Sequence, residues 1–221
     1  MARVIDLHLH SEASDDSRAP VEAYLKWLRR KKDERPVDGI VLTEHRQFDA
    51  QSDYRDLEDK YGLLILKASE VETEYGHVLV YGVNEEILKR FDFSDVRIPA
   101  QELINEVAER GGVAMPCHPG RPTIGLIEHY ETRPPLQGVV GVEALNGGSK
   151  KGENERVTNL MENHGYHGFG GSDAHLVSFV GICATQFNAE IETIEDLVAA
   201  LSSGGYHPVD FRVRRAPMAS A

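Results

Sequence analysis

Apolar runs that stop at an imidazole or a carboxylate recur along this chain, and they restrict its fold more than any other feature. Residues 4–10 end in Asp-Leu-His-Leu-His and 39–45 in Thr-Glu-His; 63–69 run into Glu70, 113–118 end at His118, and 167–172 run into Asp173. Each run has the length and apolar character of a buried strand. Residues 76–83 predict a strand paired with the third, and 141–145 and 181–185 predict two more. Helical patterns fill the intervals at 21–32 behind Pro20, at 101–110 before Gly111-Gly112, at 153–163 and at 193–202. Repeated strand–helix units predict an α/β fold with a parallel sheet and helices outside it. Core packing gives no reason for strand after strand to end in polar groups. A closed barrel gathers the C-terminal strand ends around one mouth, whereas an open sheet spreads them along a line. A barrel is therefore expected, with its site in that mouth.

Spacing sharpens the chemistry. Residues two apart on a strand share a face, so His8 and His10 point one way while Leu7 and Leu9 point the other. Asp173 and His175 repeat that pairing in Ser-Asp-Ala-His. One His-x-His is weak evidence. Two such pairs, joined by His45, Glu70, His77 and His118, point to divalent metal. Imidazole and carboxylate donors suit zinc, manganese or iron, with no thiolate in the set to favour a softer ion.

Composition narrows the rest. The chain has 221 residues, enough for one sizeable domain, and no apolar run of the length needed to span a bilayer. Cys117 and Cys183 are its only cysteines, and no leader pattern opens it, so a reducing cytoplasm is expected. A net charge of −12 argues against long nucleic acid as a partner, while leaving room for a small anion drawn by metal ions. No linker or internal repeat divides the sequence, and Pro134-Pro135 reads as a loop. The tail from about 212 reads as a frayed end or a basic cover for a neighbouring subunit, so an oligomer is compatible with the sequence.

Taken in order, Asp6-x-His8-x-His10, Ser14-Asp15, Thr43-Glu44-His45, Glu70, His77, His118-Pro-Gly-Arg121 and Ser172-Asp173-Ala-His175 resemble the PHP (polymerase and histidinol phosphatase) superfamily. The similarity runs from residue 4 to about 176. It implies a single PHP domain over 1–221, a distorted (β/α)7 TIM-like barrel, and two or three divalent ions (Zn, Mn or Fe) at the C-terminal mouth. By resemblance, His8, His10, Glu70 and Asp173 hold one metal. Glu70 bridges to a second, bound by His77 and His118, and Asp15, His45 and His175 hold a third. Three ligand carboxylates against three divalent ions leave a formal charge of about +3, suited to a phosphate. Two departures stand out. Glu44 replaces the family's Asp, with little expected effect, and Asp16 follows Asp15 where the family often has Gly, so either aspartate could be the ligand, with position favouring Asp15.

The resemblance implies a phosphoesterase that hydrolyses a small phosphomonoester (of nucleotide, sugar phosphate or histidinol phosphate type) with hydroxide made available by the ions. Glu70, Asp173 and His118 are the expected catalytic ligands, and Arg121 the substrate-binding fork. A nuclease acting on oligonucleotide ends, an amide-bond hydrolase and a noncatalytic metal-binding module are the alternatives. Asp6 is read as a partner for a ligand imidazole or a plain interior residue, and Glu143 more as interior than as site lining. Asn146, at the mouth of its strand, is read as capping a turn. Cys117, alternating with His118, is expected to face away from the site. His129, His164, His167 and His207 are read as surface or loop residues, and Trp27 as packing its helix onto the barrel.

Overall fold

A computed structural model describes residues 3–150 and 152–212. The expectations for the tail beyond Arg212 lie outside them. The described elements run β1 (Arg3–Leu9), α1 (Val21–Arg30), β2 (Gly39–His45), α2 (Arg55–Tyr61), β3 (Leu64–Thr73), β4 (Gly76–Tyr81), α3 (Glu85–Arg90), α4 (Ala100–Glu109), β5 (Val113–Pro116), α5 (Leu126–Tyr130), β6 (Gly141–Asn146), α6 (Glu153–His164), β7 (His167–Gly171), β8 (Cys183–Phe187), α7 (Ile194–Ser203) and β9 (Tyr206–Asp210).

Seven strands form one sheet in the order β5-β4-β3-β2-β1-β8-β9, and β6 and β7 form a separate parallel pair. The result is a mixed α/β fold with a curled half-barrel sheet. The all-parallel (β/α)7 barrel is corrected by this arrangement. Only β1–β2, β2–β3 and β6–β7 are parallel, while β3–β4, β4–β5, β1–β8 and β8–β9 are antiparallel. The β3–β4 case has a simple cause. Only Glu74 and Tyr75 separate the two strands, enough for a hairpin but far short of a parallel crossover.

Ile5, Asp6, Leu7, His8 and Leu9 are all buried, so β1 is covered on both faces. β7 supplies part of that cover. The amide of Asp173 donates to the carbonyl of His8 at 2.6 Å, and the amide of His10 to the carbonyl of Ala174 at 3.0 Å. Gly171 permits the approach: a Cβ there would lie 2.4 Å from the His8 Cβ and 2.8 Å from Glu143 Oε1. The helices α1, α4 and α7 bury apolar stripes, with Tyr24, Leu25 and Leu28 inside α1 and Trp27 half-buried beside them. α2 buries none of its side chains, which is why no apolar period announced it.

Candidate metal centre

Glu70 is the hub. It lies on β3 where that strand pairs with both β2 and β4, and it is almost fully buried. Its two oxygens face different imidazoles. Oε2 lies 2.9 Å from His8 Nε2, 3.2 Å from His10 Nε2 and 3.4 Å from His45 Nδ1. Oε1 lies 2.7 Å from His77 Nδ1 and 3.0 Å from His118 Nε2. Asp173 closes the first set, its Oδ1 3.4 Å from His8 Nε2 and 3.3 Å from His10 Nε2. The structure thus brings together the side chains that the motifs singled out on β1, β2, β3, β4 and the segments after β5 and β7.

Two of these residues take the left-handed backbone region that non-glycine residues seldom adopt: His118 with φ 31° and Asp173 with φ 52°. Such conformations concentrate where function over-determines the backbone. At His118 the turn breaks strand alternation, because β5 has already ended at Pro116. Cys117 consequently faces the site, correcting the expectation that it points away. Its thiol donates to Glu70 Oε1 at 3.4 Å and lies 3.4 Å from His118 Nε2. Burial, reinforced by Glu70, Glu143 and Asp173, pushes this thiol well above its usual range, so it is an S–H here.

A second cluster gathers His10, His45 and His175; His10 stacks on His45 with centroids 4.1 Å apart and meets His175 tilted, at 4.4 Å. Of the two aspartates in the loop after β1, Asp16 reaches it, 3.0 Å from His175 Nε2 and 3.3 Å from His45 Nε2. Asp15 turns outward to pair with Arg46 at 2.5 Å, so of the two aspartates Asp16 is the one that faces the imidazoles. With Asp16 in place of the family's Gly, the loop after β1 offers two acids, and the chain direction aims only the second inward. Glu44 is also structural: it is buried, accepts from the Ser11 amide and takes the Ser14 hydroxyl at 2.6 Å.

Of the two interior acids, Glu143 is the one that meets a candidate ligand imidazole. Its Oε1 lies 3.0 Å from His8 Nδ1, and its Oε2 accepts from the His118 amide at 2.7 Å and from Asn146 Nδ2 at 2.9 Å. A carboxylate on Nδ1 leaves Nε2 free as a metal donor and fixes the ring. Asp6 instead accepts backbone amides of Ser172 and Gly181, both at 2.8 Å, and touches no imidazole. Burial raises its pKa to about 6. Arg121 closes the rim, with Nη2 donating to Asp173 Oδ2 at 2.5 Å and Asn146 Oδ1 at 2.8 Å, and Nε to Ser149 Oγ at 3.2 Å. Asn146 is therefore a link within the site and not only a turn residue. Among the described residues, His129, His164, His167 and His207 make no hydrogen bond or ring contact with these clusters.

Electrostatics agree with a cation site. Burial by itself would lower His8 and His10, but surrounding carboxylates outweigh it, holding His8 well above its usual value and His10 at about 9. Burial would raise Glu70 and Asp173, yet the imidazoles keep both well below the normal carboxylate range. The buried Nε2 of His10 is the sharpest indication. It sits close to two carboxylates without meeting hydrogen-bond geometry with either, so the three groups lie side by side as ligands around a common centre do. His8, His10, Glu70 and Asp173 each offer a donor atom within 4.8 Å of the others. This set fits a divalent ion.

The class defined by fold and site is a half-barrel α/β protein with a buried cluster of histidines and carboxylates at strand ends that could hold metal. A family model described as PHP-associated matches residues 151–205. The chain is 25% identical over 127 residues to the uncharacterized protein MJ1587 of Methanocaldococcus jannaschii, a match covering 53% of this chain and 68% of that one. It shares its fold with PsfC from Pseudomonas syringae (TM-score 0.69, 20% identity, 95% of this chain and 91% of PsfC). It also shares it with the lesion-specific endonuclease PfuEndoQ from Pyrococcus furiosus (TM-score 0.66, 16% identity), covering 94% of this chain and 58% of the endonuclease. An endonuclease Q complex with a 27-mer duplex carrying an abasic lesion at the active site gives a TM-score of 0.65. The PHP-associated match covers residues 151–205, about a quarter of the chain, and the fold is shared over nearly its whole length.

Proposed function

We propose that this chain, as one PHP domain, is a metal-dependent hydrolase acting on a small phosphomonoester. The observation that carries the reading is the division of Glu70, whose two oxygens face separate imidazole sets inside a buried mouth. In this reading His8, His10, Glu70 and Asp173 hold one divalent ion, and Glu70, His77 and His118 a second. His45, His175 and Asp16, in place of Asp15, hold a third. Zinc, manganese and iron all suit these donors. Bound ions supply Lewis-acid polarisation of a phosphoryl oxygen and lower the pKa of water.

The chain's own residues then have defined tasks. Glu143 keeps the His8 ring oriented and holds the amide of His118. Arg121 is anchored by Asp173 and Asn146, while its Nη1 makes no protein hydrogen bond among the described residues, leaving donors for a phosphate oxygen. No helix of the described residues is long and apolar enough to cross a membrane.

A nuclease is the second reading, favoured by the fold shared with endonuclease Q. The net charge of −12 weighs toward the small substrate. The deciding experiment loads the protein with Mn, Zn or Fe in turn. It then assays nucleoside monophosphates, sugar phosphates, histidinol phosphate, a duplex with an abasic site, and amides. Turnover of a phosphomonoester above all others supports the proposal; turnover confined to the duplex or to amides replaces it.

A further inference from the structure

A cleft of about 470 Å³ opens beside His77 and is bordered by Val96, Arg97, His129 and Arg133. His77 lines the cleft and lies 2.7 Å from Glu70, so the cleft adjoins the candidate metal centre at that residue. Its floor depends on Gly76, whose φ of 98° lets residues 123–125 pass so close that a Cβ would meet the Ile124 carbonyl oxygen at 2.2 Å. The amide of His77 donates to that same carbonyl at 3.1 Å. One wall is thus the segment that follows Arg121, and the other is the approach to α4.

The charges in this cleft are unevenly committed. Glu72 is paired with Arg46 at 3.1 Å, and Glu74 accepts the amide of Ala100 at 2.9 Å, at the start of α4. Arg97 and Arg133 pair with no carboxylate among the described residues, in a chain of net charge −12. Arg133 is nevertheless positioned, its guanidinium lying 5.3 Å over the ring of Tyr75, which is itself fixed by donating to the Pro134 carbonyl at 3.0 Å. Stacking leaves the N–H edge of a guanidinium open for an anion. Val96, 51% exposed, adds an apolar surface to the lining of the cleft.

We infer that this cleft holds the part of the substrate remote from the scissile phosphate, and that Arg97 and Arg133 bind a second anionic group there, a phosphate or a carboxylate on a short carbon spacer. The inference rests on the phosphoester reading above and adds to it the substrate's second charge.

The test compares α,ω-alkanediol bisphosphates of three to six carbons with their monophosphates and with ω-phosphohydroxy acids, using metal-loaded protein. Wild type should favour one spacer length by roughly tenfold in kcat/KM over the monophosphate, the scale of one charged hydrogen bond. Arg133→Ala and Arg97→Ala should each remove most of that preference while changing the monophosphate rate less than about twofold, and Arg133→Lys should restore part of it. The acid series shows whether carboxylate serves as well as phosphate. Binding of pentane-1,5-bisphosphonate, which cannot be hydrolysed, is measured by calorimetry on the same variants. If esters are cleaved but no preference exists, or the variants lose both substrates equally, the cleft assignment is overturned alone. Losses confined to oligonucleotides also overturn it. If no ester is cleaved yet the bisphosphonate binds through the two arginines, the phosphoester reading fails and the anion cleft stands.

Discussion

Glu143 on β6 holds His8 on β1 through a contact of 3.0 Å between Oε1 and Nδ1, across 135 positions of sequence. The other oxygen of the same carboxylate takes the amide of His118 at 2.7 Å. One buried acid therefore steers two neighbouring ligands. Glu143→Gln should bind metal about 10- to 100-fold more weakly with the fold intact, as loss of a carboxylate behind a ligand histidine does. Glu143→Ala should also cost about 1–3 kcal/mol in unfolding, because the His118 amide is left buried without a partner. Metal titration and thermal unfolding check both; wild-type affinity in the glutamine variant would remove the orienting role.

Glu70 faces both imidazole sets, so its loss should exceed that of a residue facing one. Glu70→Gln should lower turnover by at least about a hundredfold, with His77→Ala less severe. Steady-state kinetics alongside elemental analysis decides. Near-normal turnover at full metal content would show that Glu70 does not bridge.

The two adjacent aspartates should behave differently. Asp16→Asn should weaken one ion per chain by about tenfold or more, because Asp16, and not Asp15, reaches both His45 and His175. Asp15→Asn should leave metal content unchanged and stability within about 1 kcal/mol, as for an exposed ion pair. Stoichiometry measured on both variants discriminates, and the reverse result would return the ligand role to Asp15.

Metal uptake should release protons. Carboxylates raise His10 to about 9 despite its burial, and His8 is raised well above its normal value, so both rings are protonated at pH 7 before metal enters. A ligand imidazole must be neutral, so binding displaces those protons. The sign follows: affinity rises as pH rises toward about 9 and falls as the solution is acidified. Calorimetry in buffers of different ionisation enthalpy measures the release directly. A binding heat independent of buffer would contradict it.

Much of the candidate cluster is legible in the sequence, for a local reason. A strand's alternation and its end are written in neighbouring residues, so His8, His10, His45, Glu70, His77, His118, Asp173 and His175 could be picked from apolar runs that stop at polar groups. The same local logic placed β2 at residues 39–45 and paired β4 with β3. It failed where the backbone leaves the regular regions or where the partner is far along the chain. Cys117 faces the site because His118 takes a positive φ that no alternation rule contains. By sequence, Asp6 reads as an imidazole partner or an interior residue, and Glu143 more as interior than as site lining. Their roles separate only because β7 docks on β1 at Gly171, giving Asp6 the amide of Ser172, 166 positions away, and leaving His8 to Glu143. The antiparallel strands that replace a regular barrel are of the same kind. The sequence by itself determined which atoms can bind metal, since that is a property of residue type and short spacing. Tertiary structure decided which of them meet, because hydrogen bonds between distant segments set the direction in which each side chain enters the common mouth.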